Sequence, residues 1–329
     1  MEYTHLGRLA LKVSRLCLGT MNFNPPFVSE ADSFAIMDAA LEAGINFFDT
    51  ADVYGFYYSE SQSGLTEEII GRWLAQNPAR RRQIVLATKV YGKMGAGVND
   101  QGLSAYHIRQ ACEDSLRRLQ TDHIDLYQMH HVDRSAPWEE VWQAMETLIQ
   151  QGKVIYVGSS NFGARHIARA QCAAVQRNLL GLVSEQSLYN LIDRHVELEV
   201  LPACREYGMG FLPWSPLKSG MLAGVLQKSS AQGRQTLETW MPQLIEKRRT
   251  ALQGYEDLCR QMGESPAVVG LAWLLHQPGV TAPIIGPRSV DQLHSSLRAV
   301  QLQLSAETLQ QLDALFPGPG GEAPEAYAW

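Results

Sequence analysis

Residues 44–55 read GINFFDTADVYG, an apolar run that stops on the carboxylate of Asp49 and then turns to present Tyr54. Two further stretches share this plan. Residues 84–89, IVLATK, end on Lys89, and residues 125–130, DLYQMH, end on His130. Apolar runs of this kind suit parallel strands buried on both faces, and a barrel that gathers their C-terminal ends brings distant side chains into one pocket. An acid, a phenol, an amine and an imidazole would then meet. Each residue alone has an ordinary explanation: Asp49 as a turn cap, Tyr54 as an amphipathic rim residue, Lys89 with its ammonium in water, His130 as a satisfied core histidine. The four together point to an active site.

Apolar strand candidates recur outward from these stretches, near 16–19, 45–49, 84–89, 125–130, 154–158, 182–186, 210–214 and 281–285. Helical patterns lie between them. In 103–120, Ser104 can cap a helix whose one face carries Ile108, Ala111, Cys112, Leu116 and Leu119. In 136–152, Val141, Trp142, Met145, Leu148 and Ile149 share a face and Gly152 ends the helix. The alternation predicts a (β/α)8 barrel, a single domain over residues 1–329. Two breaks are expected as loops above the barrel, a Gly-rich one over 91–103 and a longer one over 218–250. The Pro-Gly segment 318–329 reads as a flexible tail ending in Tyr327 and Trp329, with docking onto the barrel or a neighbouring subunit as the other option.

A net charge of -6 argues against a broad nucleic-acid face, and the Arg80-Arg81-Arg82 run reads as a solvated loop. Five cysteines without a C-x-x-C pair suggest reduced thiols in the cytoplasm. The N-terminus lacks a signal peptide's apolar segment and no run approaches membrane-spanning length, so a cytoplasmic protein with no membrane partner is expected. His130-His131 with Asp133 invites a metal, but neighbours on a strand point to opposite faces, so no metal is expected. A G-x-G-x-x-G fingerprint is absent, so a Rossmann domain is not the carrier of any nucleotide.

The segments above, followed by YVGSSNF (156–162), EQSLYNL (185–191), PWSPLKSG (213–220) and PIIGPRSVDQL (283–293), resemble the ordered signature motifs of the aldo-keto reductase superfamily. The resemblance spans nearly the whole chain. It is nearest the branch that holds the potassium-channel beta subunits and many bacterial reductases. It implies an NADPH-dependent oxidoreductase that reduces an aldehyde or ketone, with Asp49, Tyr54, Lys89 and His130 as the catalytic set. Residues 3–16 resemble the hairpin that plugs the bottom of the barrel in that superfamily.

Cofactor contacts follow from the same resemblance. Asp49, Ser160, Asn161 and Gln186 match residues around the nicotinamide, Trp214 the residue that stacks on its ring, and Gly19, Thr20 and Met21 the loop bordering it. Ser215, Pro216 and Leu217 lead to Ser219 and Gly220, whose amides match a pyrophosphate contact. Arg288 matches the position facing the adenosine 2′-phosphate, which favours NADPH over NADH, and Gln292 and Ser296 complete that side. Two departures stand out. Ser295 and Ser296 replace a Glu-Asn pair, and the link after Tyr54 is long and carries Phe56, Tyr57 and Tyr58, either as an aromatic substrate wall or as loop packing.

The expected partner is a small carbonyl compound, and a homo-oligomer is compatible with the resemblance. Two alternatives stay open, a redox-sensing nicotinamide-binding module for a protein partner and a nucleotide-linked keto-sugar reductase. The lack of an inactivation-type extension before the barrel favours a free-standing enzyme.

Overall fold

The computed structural model describes residues 1–25, 27–55, 63–227 and 238–328. An antiparallel hairpin opens the chain, β1 (Tyr3–His5) paired with β2 (Lys12–Ser14). Strands and helices then alternate: β3 (Cys17–Gly19), α1 (Glu30–Glu42), β4 (Phe47–Asp49), α2 (Leu65–Gln76), β5 (Val85–Val90), α3 (Ala105–Leu119) and β6 (Ile124–Met129). They continue with α4 (Trp138–Gln150), β7 (Val154–Ser160), α5 (Ala164–Gln176), β8 (Leu182–Leu188), α6 (Val200–Glu206) and β9 (Gly210–Trp214). Two helices, α7 (Met241–Gln261) and α8 (Pro266–His276), precede β10 (Ile284–Ile285), and α9 (Val290–Gln301) and α10 (Ala306–Leu315) follow it.

The eight strands from β3 to β10 form one parallel sheet in the order β10-β3-β4-β5-β6-β7-β8-β9. The Thr281 amide donates to the Phe211 carbonyl at 2.9 Å and brings the last strand's approach beside β9. The sheet thereby curls into a (β/α)8 barrel. Arg15 reinforces the seam, its guanidinium donating to the carbonyls of Leu275, Val280 and Thr281.

Side chains alternate between barrel interior and helical layer, as the pleat requires. Phe47, Val85, Ala87, Leu126, Leu212 and Ile284 pack together inside, and Leu6 and Val13 of the hairpin close one end of that cluster. Phe48, Leu86 and Tyr127, one residue out of phase, pack in the helical layer, where Phe48 stacks on Trp73 at 5.7 Å. The same parity explains the site: Phe47 is followed inside by Asp49, Val85 and Ala87 by Lys89, and Leu126 by Gln128. Each strand places apolar groups toward the plug and its polar group toward the open end.

Several expectations need correction. Arg80 and Arg81 are not solvated: Arg80 pairs with Asp38 at 2.5 Å and lies over the Trp73 ring, and Arg81 pairs with Asp125 at 2.8 Å. The break expected as loop over 218–250 contains the start of α7 at Met241, which buries Leu252, Tyr255 and Cys259 farther along. Its first half mixes Met241, Leu244 and Ile245, which pack inward, with exposed Gln243, Glu246, Lys247 and Arg249, so composition hid the helix. In the C-terminal segment the Ala323 amide donates to the Leu198 carbonyl at 2.9 Å and Glu322 pairs with Arg205. Phe56, Tyr57, Tyr58 and Trp329 lie outside the described residues.

Candidate active site

At the open end of the barrel, Lys89 Nζ donates to Asp49 Oδ1 at 2.5 Å, to the Thr50 carbonyl at 2.8 Å and to the Tyr54 hydroxyl oxygen at 3.1 Å. The ammonium is fully buried and Asp49 nearly so. Burial opposes the charge on Lys89, but Asp49 and Tyr54 outweigh it and hold the group above its ordinary value. Asp49 Oδ2 accepts from Gln128 Nε2 and from Gln186 Nε2, both at 2.9 Å. The carboxylate is thus fixed from both sides, and it fixes the ammonium in turn.

Tyr54 sits on a turn closed by its own amide, which donates to the Ala51 carbonyl at 3.2 Å. Its ring meets that of His130 edge-on, with centroids 5.8 Å apart. Desolvation in the cavity, then the charges of Lys89 and His131, hold the His130 imidazole well below its usual range. It is neutral at neutral pH and able to donate one hydrogen bond.

His131 departs from the expected alternation. It stacks on His130 at 5.0 Å with an interplanar angle of 11°, because β6 has ended at Met129 and the pleat no longer separates neighbours. Asp133 is occupied elsewhere, accepting from the Leu103 and Ser135 amides. Among the described residues no three His, Cys, Asp or Glu side chains gather as metal ligands. No helix of the described residues is long and apolar enough to cross a membrane.

The tetrad opens into a cavity of about 680 Å³ whose wall includes Asp49, Tyr54, His130 and His131 at one end and Arg288, Gln292, Ser295 and Ser296 at another. Between them lie Gly19, Met21, Ser160, Asn161, Gln186 and Trp214, with Ser215, Pro216, Leu217, Ser219 and Gly220. Trp214 Nε1 donates to Asn161 Oδ1 at 3.0 Å, and Asn161 Nδ2 donates to the His130 carbonyl and to Ser160 Oγ. Asn161 holds a left-handed backbone, φ 59°, that aims this set into the cavity.

Thr20 takes a different place from its neighbours. It is buried off the cavity wall, and its amide and hydroxyl both donate to the Asp49 carbonyl. Its position makes it a brace for Asp49. The Ser219 and Gly220 amides also have partners already, Ser215 Oγ at 3.3 Å and the Leu217 carbonyl at 2.9 Å, so an anion there would share or displace them. Ser215, Lys218 and Ser219 all carry positive φ, and such strain persists where the surroundings impose it. Lys218 is fastened to Asp193 at 2.8 Å, and Asn190 Nδ2 donates to the Ser215 carbonyl.

At the far end the Arg288 amide donates to Gln292 Oε1, while its guanidinium has no carboxylate partner among the described residues. Ser296 Oγ donates back to the Gln292 carbonyl of its own helix.

A match to the Aldo/keto reductase family spans residues 15–316. The chain belongs to the aldo/keto reductase family. It is 54% identical over 333 residues, all of both chains, to the uncharacterized oxidoreductase YrpG of Bacillus subtilis. It is 33% identical, over 96% of each chain, to a probable voltage-gated potassium channel subunit beta of Oryza sativa. Versiconal hemiacetal acetate reductase of Aspergillus parasiticus is 31% identical over 97% of this chain and 99% of that protein.

Sequence reasoning missed several residues of this aldo/keto reductase site. Gln128 could have been found from strand parity, since it precedes His130 by two residues on the same face. Glu185 had no such signal. It lies beneath the loop that follows β7, accepting from the Phe162 amide at 3.1 Å and from Ser187 Oγ at 2.6 Å. Burial raises its carboxyl to about 7 against the hydrogen bonds of Ser159 and Ser187.

Proposed function

We propose that the chain is a single-domain, NADPH-dependent carbonyl reductase that converts an aldehyde or ketone to an alcohol, with Tyr54 as the proton donor. The observation that carries this reading is the buried Lys89 ammonium held by Asp49 and hydrogen-bonded to the Tyr54 hydroxyl at 3.1 Å. A phenol is a poor acid near neutral pH because its ordinary pKa is about 10. An adjacent fixed cation favours the phenolate that remains after proton release. Neutral His130, across the Tyr54 ring, can donate to the same carbonyl oxygen and orient it.

The cavity fits a nicotinamide dinucleotide by the chemistry of its wall. Ser160, Asn161 and Gln186 would hold the carboxamide, Trp214 would stack on the ring, and the Ser215–Gly220 turn would hold the pyrophosphate. When bound, that cofactor supplies the hydride to the carbonyl carbon. The Arg288 guanidinium, without a carboxylate partner among the described residues, suits the 2′-phosphate of NADPH.

The relatives named as channel subunits support a second reading, a nicotinamide-binding module that reports to a protein partner. Turnover separates the two. The purified protein should oxidise NADPH with simple aldehydes, and Tyr54→Phe should lower kcat about 10²- to 10⁴-fold while leaving NADPH affinity within a factor of about three. A Tyr54→Phe protein that kept most of its turnover would remove Tyr54 as the acid; no turnover by the unmodified protein on any aldehyde, ketone or nucleotide-linked keto-sugar would favour the binding module.

A further inference from the structure

Behind the catalytic turn, on the helical side of the sheet, lie two carboxylates and one cation. Glu67 of α2 is fully buried; its Oε1 accepts from Thr88 Oγ1 at 2.5 Å and its Oε2 from Arg118 Nε at 2.7 Å. Arg118 is spent on that pair and on Ser115 Oγ. Asp52 is also fully buried, yet neither of its oxygens has a hydrogen-bond partner among the described residues, although the Val53 and Tyr91 amides lie near it. An ionised carboxylate left without partners in such a place is very costly, whereas a neutral one is tolerable.

Asp52 occupies a critical position in the chain. It lies between Asp49 and Tyr54, and its amide donates to the Lys89 carbonyl at 3.2 Å, so one residue ties the turn to the strand that supplies the ammonium. Its titratable surroundings are the Glu67–Arg118 pair and the Tyr127 phenol of β6, with the Cys112 thiol of α3 beyond that phenol. Asp114 acts on Arg118 from the same helix as Cys112. Burial pushes both Cys112 and Tyr127 up, so neither contributes a charge near neutral pH.

We propose that Asp52 is a positioning residue: its side chain, buried beside the Glu67–Arg118 pair without a hydrogen-bond partner among the described residues, lets the Asp49–Tyr54 turn stay packed only as a neutral carboxylic acid, and its ionisation releases that turn. Burial first, and then the charge of Glu67, push the Asp52 carboxyl up to about 8 against the opposing pull of Arg118. The folded-state value lies above the ordinary one of about 3.9. Stability from this group is therefore full below the ordinary value, falls as pH rises, and stops falling once Asp52 is ionised in the folded protein, above about pH 8. Position, and with it kcat, is lost only at that last step. This inference rests on Tyr54 being the proton donor, but its stability readout does not.

The test compares kcat for aldehyde reduction and the unfolding midpoint of the unmodified enzyme and Asp52→Asn from about pH 5 to about pH 10. The amide copies the neutral acid and cannot ionise. The unmodified enzyme should lose about tenfold in kcat above about pH 8. Asp52→Asn should hold its kcat to higher pH than the unmodified enzyme, losing it only where Tyr54 itself ionises, and its advantage in midpoint should grow up to about pH 8 and then level. Asp52→Ser, a smaller neutral side chain, serves if the asparagine variant does not fold. An unmodified enzyme whose kcat is flat through about pH 10, or a neutral variant whose kcat profile overlays it, overturns the proposal. A midpoint that behaves as expected beside an unaltered kcat profile overturns the positioning role alone. Failure of Tyr54 as the acid would show separately, in Tyr54→Phe.

Discussion

Lys89 is the residue on which the site turns, because it is the one cation that touches both Asp49 and Tyr54 among the described residues. Removing it has two consequences. On the proposed mechanism the Tyr54 phenol loses the charge that would favour proton release, and Asp49 is left as a buried carboxylate held only by amide donors from Gln128 and Gln186. Lys89→Met, similar in length and neutral, should therefore lower kcat by about 10²-fold or more, and the proton-transfer limb of the pH-rate profile should move to higher pH. A profile for Lys89→Met that kept the unmodified limb would show that the ammonium does not act on the phenol. Asp49 and Lys89 could be placed from sequence because each stands at a strand end, where parity and burial leave little choice of direction, while the roles expected for them, Tyr54 and His130 came from the resemblance. The bond between Gln186 and Asp49 and the surroundings of Asp52 could not be read in the same way. The bond from Gln186 to Asp49 joins positions 137 apart, and the pairing of Asp52 with the Glu67–Arg118 unit depends on how α2 and α3 pack, which no local pattern encodes.

Among the elements, the hairpin β1–β2 and the strand ends divide stability from chemistry. The hairpin seals the barrel at the end away from Tyr54, with Leu6 and Val13 against the interior cluster. Gly7 makes that seal: its φ is +57°, and a Cβ there would lie 2.4 Å from the Gly208 carbonyl oxygen and 2.6 Å from the Gly210 nitrogen. Both obstacles are backbone and cannot rotate away. Gly7→Ala should cost more than about 1 kcal/mol and lower the unfolding midpoint, with kcat and KM of the folded fraction unchanged. A large loss of kcat in Gly7→Ala at a temperature where it is fully folded would refute this separation. The strands were readable even where short, β10 having only two residues, because burial on both faces gives most of them a short apolar core, such as Phe47-Phe48, Val85-Leu86-Ala87 and Ile284-Ile285. Helix α7 was not, since most of its buried residues lie in its second half and its first half, apart from Met241, Leu244 and Ile245, carries the polar composition of a loop.

At the scale of the whole molecule, the proposed NADPH reading turns on how the far end of the cavity would discriminate nucleotides. The chain carries a net charge of -6, so its overall field does not draw an anionic cofactor, and selection must come from local groups. Arg288 is such a group. It stands just before α9, whose Ser289 cap accepts from the Gln292 amide, and its guanidinium lines the cavity without a carboxylate to neutralise it among the described residues. A charge-assisted hydrogen bond to a 2′-phosphate is worth about 1.5–3 kcal/mol, whereas a neutral hydrogen bond that Ser295 and Ser296 are too short to make costs about 1 kcal/mol. That smaller cost falls on both cofactors alike, since it concerns the adenine they share. NADPH should therefore bind about tenfold or more tightly than NADH, and Arg288→Ala should close most of that gap by weakening NADPH alone. Titration of each cofactor against the intrinsic fluorescence of Trp214, in the unmodified protein and in Arg288→Ala, measures both affinities directly. Equal affinities in the unmodified protein, or a variant that weakens NADH as much as NADPH, would assign the discrimination to some group other than this guanidinium.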